Sequence, residues 1–164
     1  MATGTPSGDR TLVGVISDTH GLLRPAALEA LAGVDLILHA GDVGRAEVLQ
    51  RLREVAPTVA VRGNVDTSPW GRTLPETEVV EVRGRLLYLL HDRGALDLDP
   101  RAAGLAAVIF GHSHRPEAAE TNGVLYLNPG AAGPRRFSLP ISLARLTVGD
   151  DALTWEFVDL PAET

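Results

Sequence analysis

The chain has 164 residues, 45% of them hydrophobic and 22% charged, a balance that fits one ordinary globular domain and excludes bulk disorder. Its formal charge of −6 leaves no broad basic face for nucleic acid, and with no cysteine there is no disulfide framework, thiolate metal site or thiol nucleophile. All 15 basic residues are arginine, so the lysine of a Walker-type phosphate loop or of a Schiff base is missing too.

No apolar run reaches the roughly 18 residues that a membrane span needs. The start, MATGTPSGDR, lacks the basic-then-apolar order of a secretory signal. The expectation is a cytoplasmic protein with a flexible tail over residues 1–10 and a single domain over residues 11–160.

In chain order, Thr11 to Ser17 is short, apolar and partly β-branched, which predicts a buried strand. Pro25 opens a helical pattern through Ala27, Leu28 and Leu31 that Gly33 ends. Val34 to His39 reads as a second strand. Glu47 to Val55 reads as a second helix with Val48, Leu49, Leu52 and Val55 facing inward. Thr58 to Val61 follows as a third strand, and this alternation implies parallel pairing with helical crossovers.

The second half changes rhythm. Glu78 to Val82 and Leu86 to Leu90 read as strands joined at Arg83-Gly84. A short helix is expected over Arg101 to Leu105, before the apolar run Ala106 to Phe110. Asn122-Gly123 between extended runs signals a hairpin, because both residues tolerate positive φ. Ile141 to Val148 and Leu153 to Val158 complete the pattern. The fold class expected is α/β, with two packed sheets and helices outside.

The chemistry-bearing residues sit at strand ends. Asp18 and His20 follow the first strand, Asp42 the second, Asn64 and Asp66 the third. His91 ends a later strand, and His112 and His114 follow Phe110. In a parallel α/β sheet the loops beyond the carboxyl ends of the strands converge on one crevice. Imidazole and oxygen ligands from five loops would meet there, a mixed set that suits manganese, iron, nickel or zinc better than calcium. Each motif alone is weak, and a lone histidine on an apolar strand is usually structural. Seven ligand-capable residues in strand-end loops are a different matter. They predict a metal centre.

Asp18-x-His20, Gly41-Asp42, Gly63-Asn64, His91 and Gly111-His112-x-His114 match, in order and interval, the motif series of calcineurin-like metallophosphoesterases. The chain resembles the small prokaryotic phosphodiesterase branch of that superfamily, with Asn128-Pro-Gly130 as a further point of likeness. The resemblance implies a two-sheet β-sandwich flanked by helices, and two divalent cations. Manganese is the first expectation, with nickel, iron or zinc as alternatives. It implies that Asp18, His20 and His114 hold one ion, that Asn64, His91 and His112 hold the other, and that Asp42 bridges them. The activity implied is hydrolysis of a small phosphoester, a diester before a monoester, by water activated between the ions. A noncatalytic interaction scaffold of the same fold is the alternative, and homo-oligomers are compatible with the family.

The chain departs from the broader pattern at two positions. Val65 stands where many members carry a histidine that protonates the leaving group, which makes Asp66 the nearest substitute donor, against a structural role in fixing the Asn64 loop. Asp92-Arg93 follows His91 where glycine is common; Asp92 reads as a loop charge or an outer neighbour of the second ion. His39 is expected to support the site without binding metal. The pair Arg135-Arg136 is balanced between a fork for substrate phosphate and plain surface solvation.

Overall fold

The computed structural model describes residues 9–162. Residues 1–8, most of the expected tail, lie outside the described residues, and Arg10 already belongs to the first strand.

The first half alternates as its sequence pattern requires. Strand β1 spans Arg10–Ile16, β2 Leu36–His39 and β3 Thr58–Ala60, with helix α1 at Pro25–Ala30 and α2 at Ala46–Val55 in the crossovers. Pro25 stands at the start of α1, where its missing N–H has no intrahelical partner to lose. β1 pairs in parallel with β2, and β2 with β3. Strands β9 (Ser142–Gly149) and β10 (Leu153–Asp159) then return antiparallel along the other edge of β1, giving a five-stranded sheet of order β10-β9-β1-β2-β3.

The second sheet is built from β4 (Thr77–Val82), β5 (Arg85–Leu90), β6 (Leu105–Ile109), β7 (Glu117–Thr121) and β8 (Val124–Asn128), in the order β4-β5-β6-β8-β7. Asn122 and Gly123 both adopt positive φ at the β7–β8 turn, and Arg83 and Gly84 do so at the β4–β5 turn. The helix expected over Arg101 to Leu105 is not formed. Asp99 accepts the backbone N–H groups of Arg101 and Ala102, Gly104 turns left-handed, and the segment is a pair of turns feeding β6. Five residues offer too little hydrogen bonding to offset helix nucleation.

Between the sheets lies a core that includes Val13, Leu36, Leu38, Leu87, Leu89, Ile109, Leu127 and Leu146. Both α-helices cover the outer face of the first sheet, where Leu31, Leu49 and Leu52 meet Ile16 and Ile37. The outer face of the second sheet has no α-helix over it among the described residues. There Leu96 packs beside Tyr88, Leu90 and Phe110, and the Arg93 guanidinium lies 4.2 Å from the Tyr126 ring centroid. Among the described residues no helix is long and apolar enough to cross a membrane. The carboxyl ends of β1, β2, β3, β5 and β6 point to one rim, and the site is built there.

Candidate metal centre

Backbone hydrogen bonds stitch the strand-end loops together before any side chain contributes. Asp18 N–H donates to the Gly41 carbonyl at 3.0 Å, His20 N–H to Asp42 at 2.9 Å, and Gly111 N–H to His91 at 3.0 Å. Two glycines permit this close approach. A Cβ on Gly63 would collide with the Asp42 backbone nitrogen and carboxylate, and one on Gly111 would collide with the Ser17 hydroxyl.

Five of the seven expected ligands occupy left-handed backbone: Asp18 (φ 55°), His20 (47°), Asp42 (55°), His112 (72°) and His114 (63°). This conformation costs an L-residue about 1 kcal/mol, and such strain clusters where surrounding structure forces a functional geometry. The strain coincides with the residues that bear ligand atoms.

Each aspartate divides its two oxygens between support and presentation. Asp18 Oδ2 accepts from the Ser17 hydroxyl at 2.7 Å and the His112 N–H at 3.1 Å. Asp18 Oδ1 accepts nothing, and lies 3.4 Å from His114 Nε2, 3.7 Å from His20 Nε2 and 3.9 Å from His91 Nε2. Asp42 Oδ1 accepts the Val65 N–H at 3.0 Å, while Oδ2 lies 3.2 Å from His91 Nε2 and 3.6 Å from His20 Nε2. His91 Nδ1–H donates to the Ala40 carbonyl at 2.8 Å, which aims Nε2 at the carboxylates.

Four buried atoms here make no hydrogen bond: Asp18 Oδ1, His20 Nε2, His91 Nε2 and His114 Nδ1. Leaving such atoms unpaired is costly, and divalent cations would satisfy them. Two groups bring ligand atoms within 4.8 Å of one another: Asp18, His20 and His114, and Asp18, Asp42 and His91. The first is the set expected for one ion. The second unites Asp42 and His91 with Asp18, so Asp18 is the member common to the two groups, while Asp42 Oδ2 lies 3.6 Å from His20 Nε2 and 3.2 Å from His91 Nε2. Asn64 and His112 stand at the exposed mouth, Oδ1 and Nδ1 facing one another at 3.2 Å.

The electrostatics follow from this packing. Burial opposes ionisation of Asp18, yet contacts from His114, His20 and Ser17 and the charge of His91 hold it well below the usual carboxylate range. Asp42 is likewise lowered against its burial, by His91 and the Val65 N–H. His20 is raised chiefly by Asp18; His91 is raised by Asp42 and Asp18 despite its burial.

The supporting residues are tied down by hydrogen bonds in turn. His39 is fully buried, which lowers it to about 4 and keeps it neutral. Gly41 N–H donates to His39 Nδ1 at 3.1 Å, so Nε2–H donates to Thr19 Oγ1 at 3.0 Å, and that hydroxyl donates to the Val43 carbonyl. Asp66 Oδ2 accepts the N–H groups of Val43 and Gly63, and Oδ1 accepts that of Gly44. Its carboxylate thus ties the Asp42 loop to the Asn64 loop. Asp92 caps its own turn by accepting the Gly94 N–H at 2.9 Å, as a loop charge would.

Sequence reasoning assigned no role to Ser17 or Asn128. Ser17 orients Asp18, and Asn128 Nδ2 donates to the Gly111 carbonyl and the Ser113 hydroxyl beneath His112 and His114. The adjacency of Ser17 to Asp18 was a local signal; Asn128 stood out only as a point of likeness, and nothing near it in sequence pointed to its reach across 17 residues to Gly111.

Residues 12–151 match the family profile described as the calcineurin-like phosphoesterase superfamily domain. A probable metallophosphoesterase of Methanocaldococcus jannaschii is 36% identical over 156 residues, covering 87% of this chain and 79% of that protein. Phosphodiesterase YfcE of Escherichia coli is 28% identical over 160 residues, covering 79% of this chain and 84% of its own. Among solved structures, wild-type Vps29 of Entamoeba histolytica complexed with zinc superposes with a TM-score of 0.67 at 29% identity, covering 91% of this chain and 99% of that one. The chain belongs to the calcineurin-like phosphoesterase superfamily.

Proposed function

We propose that the protein is a phosphodiesterase that works with two divalent cations, manganese first among them. The observation that carries this reading is the cluster of four buried, unpartnered ligand atoms at the joined ends of the strands. The donor set is mixed imidazole and carboxylate, which fits such ions. Asp18, His20 and His114 would hold one, and Asn64, His91 and His112 the other, with Asp42 shared. When bound, a cation pair supplies an acidified water as nucleophile and positive charge for the phosphoryl oxygens.

The chain's own residues then have separable tasks. Ser17 and the His112 N–H fix Asp18, and the Val65 N–H fixes Asp42, so each carboxylate keeps one oxygen directed at the site. Asn64 and His112 stand where a substrate arrives first. Val65 is exposed beside them and transfers no proton, which favours esters whose alcohol leaves without assistance. Asp66 is a positioning residue in this reading, because three backbone N–H groups occupy its carboxylate. The names of the relatives, a phosphodiesterase among them, support the same activity.

The test is hydrolysis of bis(4-nitrophenyl) phosphate against 4-nitrophenyl phosphate by chelator-stripped protein given manganese, nickel, zinc or magnesium in turn. Restored diesterase with weaker monoesterase activity is expected. Preference for the monoester would make the protein a phosphomonoesterase. Ion binding without turnover of either ester would favour a scaffold role.

A further inference from the structure

The two flanks of the metal centre carry opposite charge. On the side of His20 and His114, a hollow of about 240 Å³ is lined by those two histidines with Pro134, Arg135 and Arg136. His114 is 3% exposed and lines this hollow, so the arginines lie beside a candidate metal ligand. Among the described residues, neither arginine has a carboxylate within ion-pair distance, whereas Arg62, Arg83 and Arg145 each do.

The arginine loop is also held in place. Ala132 N–H donates to Ser17, Gly133 N–H to Asp18, and the Arg24 guanidinium donates to the Gly133 carbonyl. Beyond that anchor, Leu139 N–H closes a turn onto the Arg136 carbonyl, with Phe137 left-handed at φ 53°, and Arg135 Nε spans the turn to the Leu139 carbonyl. Arg135 is therefore partly committed to the loop. Arg136 is the guanidinium left free, and it lines the same hollow as His20.

The opposite flank is acidic. A cleft of about 370 Å³ beside Asn64, His91 and His112 is lined by Arg62, Glu76, Asp92 and Asp97. Arg62 and Glu76 neutralise one another at 2.9 Å, which leaves the Asp92 and Asp97 charges in surplus.

We propose that Arg136 is a specificity-determining residue that selects phosphodiesters with a second anionic group on one arm. That arm lies toward His20 and His114, and the acidic cleft takes a neutral or cationic arm. The inference rests on the phosphodiesterase reading. A guanidinium matches phosphate or carboxylate oxygens in a bidentate fork, and Asp92 and Asp97 repel the same group from the other flank.

Two matched pairs of compounds test it. 4-Nitrophenyl ethyl phosphate is compared with its analogue whose ethyl group ends in a phosphonate, so that the leaving group is constant. Binding of propylphosphonate and of propane-1,3-diphosphonate is measured by calorimetry on the protein as purified. The anionic arm should improve kcat/KM, through KM, and affinity by about tenfold, the size of one charge-assisted contact. In Arg136→Ala both ratios should fall close to one, and Arg136→Lys should recover part of each. Equal ratios in the wild-type protein, or ratios that survive Arg136→Ala, would overturn the proposal. If neither ester is hydrolysed, the phosphodiesterase reading fails, and the calorimetric ratio alone decides whether Arg136 binds the second anion.

Discussion

Asp66 separates two accounts of this site most cleanly, because a proton donor and a loop clamp respond differently to the same substitutions. Its two oxygens accept three backbone N–H groups, from Val43, Gly44 and Gly63, at 2.9–3.1 Å, and the side chain is almost wholly buried. Hydrogen bonds to a charged acceptor contribute about 1.5–3 kcal/mol each and are not additive, so Asp66→Ala should destabilise the metal-free fold by about 4 kcal/mol. Asp66→Asn can keep its oxygen at the Oδ2 position, which serves Val43 and Gly63, and turn its amide toward the Gly44 N–H. That variant should lose about 1.5–3 kcal/mol. Urea unfolding of the metal-free protein measures both. The Asn64 loop is freed along with the Asp42 loop, so manganese affinity should fall in both variants. An Asp66→Asn protein as stable as wild type that had lost only one limb of its pH–rate profile would refute the clamp and restore Asp66 as the proton donor.

Gly63→Ala should displace Asp42, because the new methyl meets its nitrogen and carboxylate; the expected cost is about 1–3 kcal/mol of stability and a marked loss of metal affinity by dialysis. His39 titrates near 6.5 when unfolded and near 4 when folded, so the unfolded chain binds the extra proton between those values. Its contribution is therefore complete above pH 6.5 and falls by up to about 3 kcal/mol as pH drops to 4, read as the difference between wild type and His39→Gln in denaturation series. His20 and His91 are raised in the metal-free protein, so manganese binding near neutral pH should expel protons. Calorimetry in buffers of different ionisation enthalpy would show this as a buffer-dependent heat; identical heats would contradict it.

The sequence was most readable where chemistry and periodicity coincide. Asp18, Asp42 and His91 could be placed at strand ends because apolar runs of strand length stop just before them, and parallel topology makes such ends converge. The segment over residues 101–105 failed for the complementary reason. Ala102 and Ala103 favour helix in isolation, but Asp99 captures the N–H groups a helix would start from and Gly104 turns the chain. The division of Asp18 and Asp42 into one anchored and one presented oxygen was not legible, since it depends on partners 94 and 23 residues away. The three N–H groups that Asp66 accepts were not legible either, because Val43, Gly44 and Gly63 belong to two loops that only the fold brings together. The opposite charge of the two flanks was equally hidden, because Arg136 and Asp97 lie far apart in the chain.

The most direct measurement is the metal content of the protein after loading with manganese and gel filtration, for wild type and Asp42→Ala side by side. Two ions per wild-type chain are expected, with both weakened by Asp42→Ala because the proposed arrangement shares its carboxylate between the two positions. No retained metal in the wild-type protein, or two ions held equally well without Asp42, would contradict the assignment of the site.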